Sequence, residues 1–174
     1  RGLNSYDTIL EMKILFCGSS GFLGRIIVNA IGQEHEITPF NVVSGGDMTR
    51  ADLVRNAVRG KDIVLHFGAV AVGRRNIQKN SSAEEAELAG TKNFAQAAAL
   101  ENIPLVYASS VRVYGSSVEM AGGERQETHP VDPYGKMKLR CENIISDLGA
   151  TGNLRFAILR MTAIYGPNMP SDFV

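Results

Sequence analysis

The sequence predicts a doubly wound α/β domain built on a parallel sheet, and three observations predict it. Short β-branched runs alternate along the chain with longer stretches of helical period, the pattern of βαβ units feeding a parallel sheet. A glycine cluster, GSSGFLG at Gly18 to Gly24, lies directly between the first such run and the first such stretch. The 174 residues suit one domain able to bury a core without metal or disulfide staples, and leave no room for a second complete one.

Arg1 to Glu11 lack the cationic start, apolar run and small-residue cleavage site of a secretory signal, so residues 1–11 are expected to be a flexible extension and 12–174 the folded domain. Met12 to Cys17 (MKILFC) is the first strand, and Phe22 to Ile31 a helix with Phe22, Ile26, Ile27 and Ala30 facing inward. Glu36 to Phe40 is the second strand. Val42 and Val43 form a further short strand that runs straight into Ser44, Gly45, Gly46 and Asp47, with no helix between the two. Thr49 suits the N-cap of a helix from Arg50 to Val58, with Gly60 as its stop. Asp62 to Ala69 (DIVLHFGA) is the fourth strand.

Ser81 or Ser82 caps a long alanine-rich helix from Ala83 to Glu101, carrying Leu88, Phe94 and Leu100 and ended by Pro104. Leu105 to Ser110 (LVYASS) is the fifth strand, Ser116 to Thr128 a surface loop, and Pro133 the entry to a helix from Tyr134 to Leu148. Phe156 to Met161 (FAILRM) is the sixth strand.

Composition narrows the function. Eighteen basic residues balance eighteen acidic ones, leaving no net field for nucleic acid or an anionic membrane. The longest apolar runs fall far short of the ~20 residues of a membrane span. Cys17 sits in an apolar run and Cys141 at helical spacing from Met137, Ile144 and Ile145, so both read as core and suit a cytoplasmic protein. Neither His66 nor His129 has a second ligand at metal-binding spacing, and no metal is expected.

The glycine loop is informative through its context. Between strand and helix, a first glycine permits a tight turn, a second lets the backbone approach a pyrophosphate, and a third lets helix and strand pack closely. The helix N-terminus adds unpaired N–H groups for the anion. A carboxylate roughly 20 residues on would bind an adenosine ribose, but the aligned residue is Asn41. Asp47 suits either an adenine contact or the side-chain cap of a turn. No arginine lies between Gly32 and Thr49 to meet a 2′-phosphate, which favours NAD, with NADP left open.

Tyr134 and Lys138 (YGKMK) stand four apart at the start of a helix and so share a face. A phenol with its ordinary pKa near ~10 needs nearby positive charge to act as a base at neutral pH. Lys138 provides it, and proton transfer by Tyr134 would accompany hydride transfer to a nicotinamide. Ser110, ending the fifth strand beside Ser109, is placed where open α/β sheets bind ligands, ready to orient a substrate oxygen.

Taken in order, GSSGFLG, GD at Gly46 and Asp47, HFGA at His66 to Ala69, GT at Gly90 and Thr91, SSVRVYG at Ser109 to Gly115, PYGKMK at Pro133 to Lys138 and RMTAIYGP at Arg160 to Pro167 resemble the extended short-chain dehydrogenase/reductase family, closest to its sugar-nucleotide epimerases. The resemblance implies a Rossmann-type, three-layer α/β/α domain with its C-terminal substrate region largely missing. It implies that Gly18, Ser20, Gly21, Phe22, Leu23 and Gly24 cradle the cofactor pyrophosphate, with Asn41 at the ribose position. Asp47 and Met48 would meet the adenine, and Phe67, Gly68 and Ala69 would line the site. Ser110, Tyr134 and Lys138 become the catalytic set, with Tyr134 and Lys138 also touching cofactor. A nucleotide sugar becomes the expected substrate, with a non-sugar carbonyl or alcohol, or a dinucleotide-binding fragment without catalysis, as the alternatives, and a homodimer through the helices at 83–101 and 134–148 the expected assembly. Three departures stand out: Glu87 where the family carries asparagine before GT, Ala163 where an asparagine meets the sugar nucleotide, and a short segment between Gly24 and Asp47.

Overall fold

The computed structural model describes residues 10–68, 81–115, 123–124, 126–167 and 169. Ala69, the end of the expected fourth strand, lies outside them, as do residues 1–9 and most of the loop expected at 116–128. Five strands form one sheet: β1 (Lys13–Cys17), β2 (Glu36–Phe40), β3 (Ile63–His66), β4 (Leu105–Ser110) and β5 (Phe156–Met161). All four pairings are parallel and the spatial order is β2-β1-β3-β4-β5.

Among the described residues, four α-helices lie in the crossovers: α1 (Phe22–Ile31), α2 (Ala51–Val58), α3 (Ser81–Leu100) and α4 (Pro133–Ala150). The chain moves one way across the sheet from β1 to β2, and the other way from β2 onward. Right-handed crossovers therefore put α1 on one face and α2, α3 and α4 on the other. That is the three-layer, doubly wound arrangement expected.

The core lies mainly on the three-helix side. Leu15, Val64, Leu105 and Tyr107 of the sheet meet Val54 and Val58 of α2, Phe94 and Ala98 of α3, and Cys141 and Ile145 of α4. The alanine-rich face of α3 and the Met137, Cys141, Ile145 stripe of α4 are thus buried within this chain. Both cysteines are buried thiols, as expected. On the other face α1 is less covered than its periodicity suggested: Phe22 and Gly24 are buried, while Ile26 and Ala30 are exposed.

The expected strand at Val42 and Val43 is not one. Val42–Ser44 is a single 3-10 turn, and both valines are exposed, at 85% and 96%. Asn41 and Ser44 cap each other reciprocally: the Asn41 side-chain oxygen accepts from the Ser44 N–H at 2.9 Å, and the Ser44 hydroxyl accepts from the Asn41 N–H at 3.0 Å. Gly45 then leaves the turn at φ +79°. Local side-chain bonds outcompete a strand whose apolar residues have nothing to pack against. The described sheet accordingly has five strands, not six.

Capping also differs at α2. Arg50 is its N-cap without a side-chain bond, and Thr49 instead donates its N–H and its hydroxyl to Asp47. The entry to α4 is as expected. Asp132 accepts from the Gly135 N–H at 3.0 Å, and Pro133 occupies the first helical position, where a missing N–H costs nothing.

His66, at the end of β3, is fully buried between the rings of Phe94 and Tyr107, at 4.8 and 5.2 Å. Its Nε2 meets the Thr91 hydroxyl at 3.2 Å. Burial, only partly opposed by Glu87, lowers its pKa to about 4. A depressed folded-state value means that the unfolded chain takes up the proton first. The stability contribution is complete above the ordinary histidine value and is lost as pH falls toward 4. Acidification from neutrality to about pH 4 is expected to cost about 3 kcal/mol through this ring. Urea unfolding across that range checks it, and a His66→Gln variant should lose that part of the slope.

Candidate functional site

The direction of winding reverses between β1 and β3, and ligands of open α/β sheets bind outside the carboxyl ends of the strands at such a point. There the two backbones touch. The Phe67 N–H donates to the Cys17 carbonyl at 2.8 Å. A Cβ on Gly18, whose φ is +96°, would lie 2.4 Å from the Gly68 nitrogen, and one on Gly68 would lie 2.6 Å from the Cys17 sulfur. A Cβ on Gly24 would fall 2.0 Å from the Gly18 carbonyl oxygen, so α1 packs on the loop at a distance only glycine allows. Gly21 precedes α1 with no capping side chain, and its N–H donates to the Gly18 carbonyl at 3.1 Å. Ser20 ends the turn, exposed, and Leu23 is the second residue of α1. This is a cradle of bare main chain at a helix N-terminus, suited to a phosphate-bearing ligand.

At the β2 side of the crevice, Asn41 follows the strand directly, with its side-chain oxygen engaged in the Ser44 cap. Asp47 is exposed, and the Thr49 hydroxyl and N–H hold its carboxyl below the usual carboxylate range. Both residues lie on the rim. Met48 instead points into the core: a Cβ on Gly90 of α3 would meet its Cε at 2.1 Å. Its carbonyl accepts from the Asn93 side chain at 2.9 Å.

Ser110, Tyr134 and Lys138 come from β4 and the first turns of α4. The Ser110 hydroxyl accepts from the Arg112 N–H at 3.3 Å, while Tyr134 is half-buried. The Arg112 guanidinium lies 5.3 Å from the Tyr134 ring centre and is anchored by Asp132 at 2.8 Å. Asp132 therefore both caps α4 and holds a cation over the phenol. Lys138 Nζ is 6.0 Å from the Tyr134 ring centre. The ammonium is buried, donating to the Tyr107 hydroxyl at 2.9 Å and to Glu87 of α3 at 3.2 Å.

A second buried carboxylate stands one helical turn further along α4. Glu142 accepts from the Ser109 hydroxyl and pairs with Arg160 of β5 at 2.7 Å. Arg160 also donates to the Tyr114 hydroxyl at 2.8 Å. These groups border an open groove of ≈ 790 Å³ along the β5 edge, on the far side of Ser110 from the glycine cradle. Arg112, Asp132, Glu142 and Tyr107 escaped the sequence reading. The Asp132-Pro133 pair carried a cap-and-first-turn signal, while the Glu142 to Arg160 pairing left no local trace.

Fold and cradle together define a dinucleotide-binding α/β protein. The sequence profile of the NAD dependent epimerase/dehydratase family matches residues 14–174, and the chain belongs to that family. NAD is the cofactor of the family. Among relatives, the UDP-glucose 4-epimerase of Azospirillum brasilense is 26% identical over 183 residues, covering 92% of this chain and 51% of its own. The dTDP-glucose 4,6-dehydratase of Streptomyces niveus is 27% identical over 184 residues, covering 90% and 55%. The solved dTDP-4-dehydrorhamnose reductase of Clostridium acetobutylicum superposes with a TM-score of 0.79 at 27% identity, covering 92% of this chain and 56% of that one. The chain spans about half the length of the curated relatives it matches.

Proposed function

We propose that this chain is the cofactor-binding part of an enzyme that epimerises or dehydrates a nucleotide sugar, with Ser110, Tyr134 and Lys138 as its reacting set. The observation that carries the reading is the meeting of two features at one end of the sheet: a phosphate cradle of bare main chain, and a half-buried phenol flanked by two cations. NAD bound on the cradle would accept a hydride from the substrate and return it.

The chain's own residues would do the rest. Tyr134 takes the proton from a sugar hydroxyl and later gives it back. Lys138 and Arg112 place positive charge beside that phenol, 6.0 and 5.3 Å from its ring centre. Ser110 orients the reacting oxygen toward Tyr134. Gly18, Ser20, Gly21, Phe22, Leu23 and Gly24 would hold the pyrophosphate and Phe67 and Gly68 the nicotinamide side. Asn41 and Asp47 would bound the adenosine end, and Met48 would back it from the core.

Pairing of two copies through the outer faces of α3 and α4 belongs to the same proposal, as does a cytoplasmic location; family resemblance supports the first. No described helix is long and apolar enough to cross a membrane.

NAD titration followed by a panel of UDP- and dTDP-sugars tests the reading. Micromolar NAD binding with interconversion or dehydration of at least one sugar is expected. Absence of dinucleotide binding sinks it, and net NADH formation with simple alcohols alone replaces the sugar chemistry with plain oxidoreduction.

A further inference from the structure

Lys138 is the most deeply placed cation described in the chain, 4% exposed, and an ammonium so removed from water tends to lose its proton. Its surroundings decide whether it does. From β1 it faces Cys17, from β3 His66, from α3 Glu87, from β4 Tyr107, and from its own helix Tyr134 and Cys141. Burial pushes the Cys17 thiol up to about 12 and the Cys141 thiol upward as well, so neither is a thiolate at neutral pH. His66, at about 4, is a neutral imidazole there. Tyr107 is pushed well above the usual phenol range, chiefly by burial, so its hydroxyl accepts the Lys138 bond as a neutral group. Of the described groups facing the ammonium, Glu87 alone is a carboxylate.

We propose that Glu87 is the positioning residue of this site: its buried carboxylate, 3.2 Å from Lys138 Nζ, is the counter-charge that keeps Lys138 a cation and holds it between Tyr107 and Tyr134. The proposal rests on reading Tyr134 and Lys138 as the reactive pair, and it assigns a use to the acid found where the resembled family carries an amide. An amide can accept a hydrogen bond from Lys138 but brings no charge. Here the site balances its cation from α3, across the interface with α4. Burial alone would draw Lys138 toward neutrality, whereas with Tyr107, Glu87 and Tyr134 around it its pKa stands well above the ordinary ammonium value.

The test follows the lysine directly and needs neither cofactor nor turnover. Lysine 13Cε resonances are titrated in the parent protein, in Glu87→Gln and in Glu87→Asp, with Lys138 assigned by its disappearance in Lys138→Arg. In the parent, Lys138 should deprotonate above the exposed lysines. In Glu87→Gln its midpoint should fall by about two pH units or more, and Glu87→Asp should restore most of that loss. An unchanged midpoint in Glu87→Gln overturns the proposal. Should the glutamine variant not fold, the parent decides, because a Lys138 midpoint below that of the exposed lysines overturns the proposal by itself. NAD titration of the parent is a separate measurement. Failure to bind NAD would remove the reading of the site, while an unmoved lysine would remove only the role of Glu87.

Discussion

Replacement of Tyr134 by phenylalanine is expected to lower turnover of the responding nucleotide sugar by about 10²- to 10⁴-fold, the range for loss of a positioned general acid–base group. The substitution deletes one oxygen and keeps the ring, so the Arg112 stack at 5.3 Å and the first turn of α4 survive. Binding of NAD should therefore stay of the same order, and the loss should fall on kcat and on kcat/KM together, the signature of an interaction made only in the transition state. Steady-state kinetics beside a binding isotherm read both quantities. An unchanged rate would assign the proton transfer elsewhere and leave Tyr134 a first-turn residue of no chemical consequence.

The second large effect concerns stability. Lys138→Met keeps most of the volume at a buried position but strands the Glu87 carboxylate, which is only 2% exposed. Breaking a buried ion pair from one side costs about 3–5 kcal/mol, because the remaining charge keeps its desolvation penalty without its partner. Replacing both residues, as Glu87→Leu with Lys138→Met, should recover most of that loss, since an apolar pair of similar volume is often neutral in the same environment. Urea unfolding of parent, single and double variants gives the comparison. Additive losses would show that the two residues are not coupled across the α3 and α4 interface.

Much of this arrangement was legible because it is written locally. GSSGFLG announces a turn that excludes side chains, and Pro133 announces the helix that carries Tyr134 and Lys138. The alternation of strands and helices pointed to βαβ units and so to a parallel sheet. What escaped is what depends on partners distant in the chain. Val42 and Val43 satisfy a strand pattern, but only the Asn41 and Ser44 side chains decide that the backbone closes into a turn. Ile26 satisfies a helical stripe yet is exposed, because periodicity tells which residues share a face and not what covers it. Glu87 was visible as an unusual residue before GT. That it answers a cation 51 positions later could be seen only once α3 and α4 lay side by side.

The contact between Gly18 and Gly68 has a consequence for redesign. The floor of the crevice consists of the peptide groups that directly follow β1 and β3, two paired strands, and they approach too closely to admit a side chain at Gly18 or Gly68. Such a floor offers the same surface to every dinucleotide. If NAD sits on the cradle as proposed, discrimination against its 2′-phosphorylated form would fall to the rim, where Asn41, Ser44 and Asp47 stand on a turn with no buried residue of its own. Libraries that exchange cofactor preference should be confined to that rim, where a changed residue alters choice without loosening the scaffold beneath it.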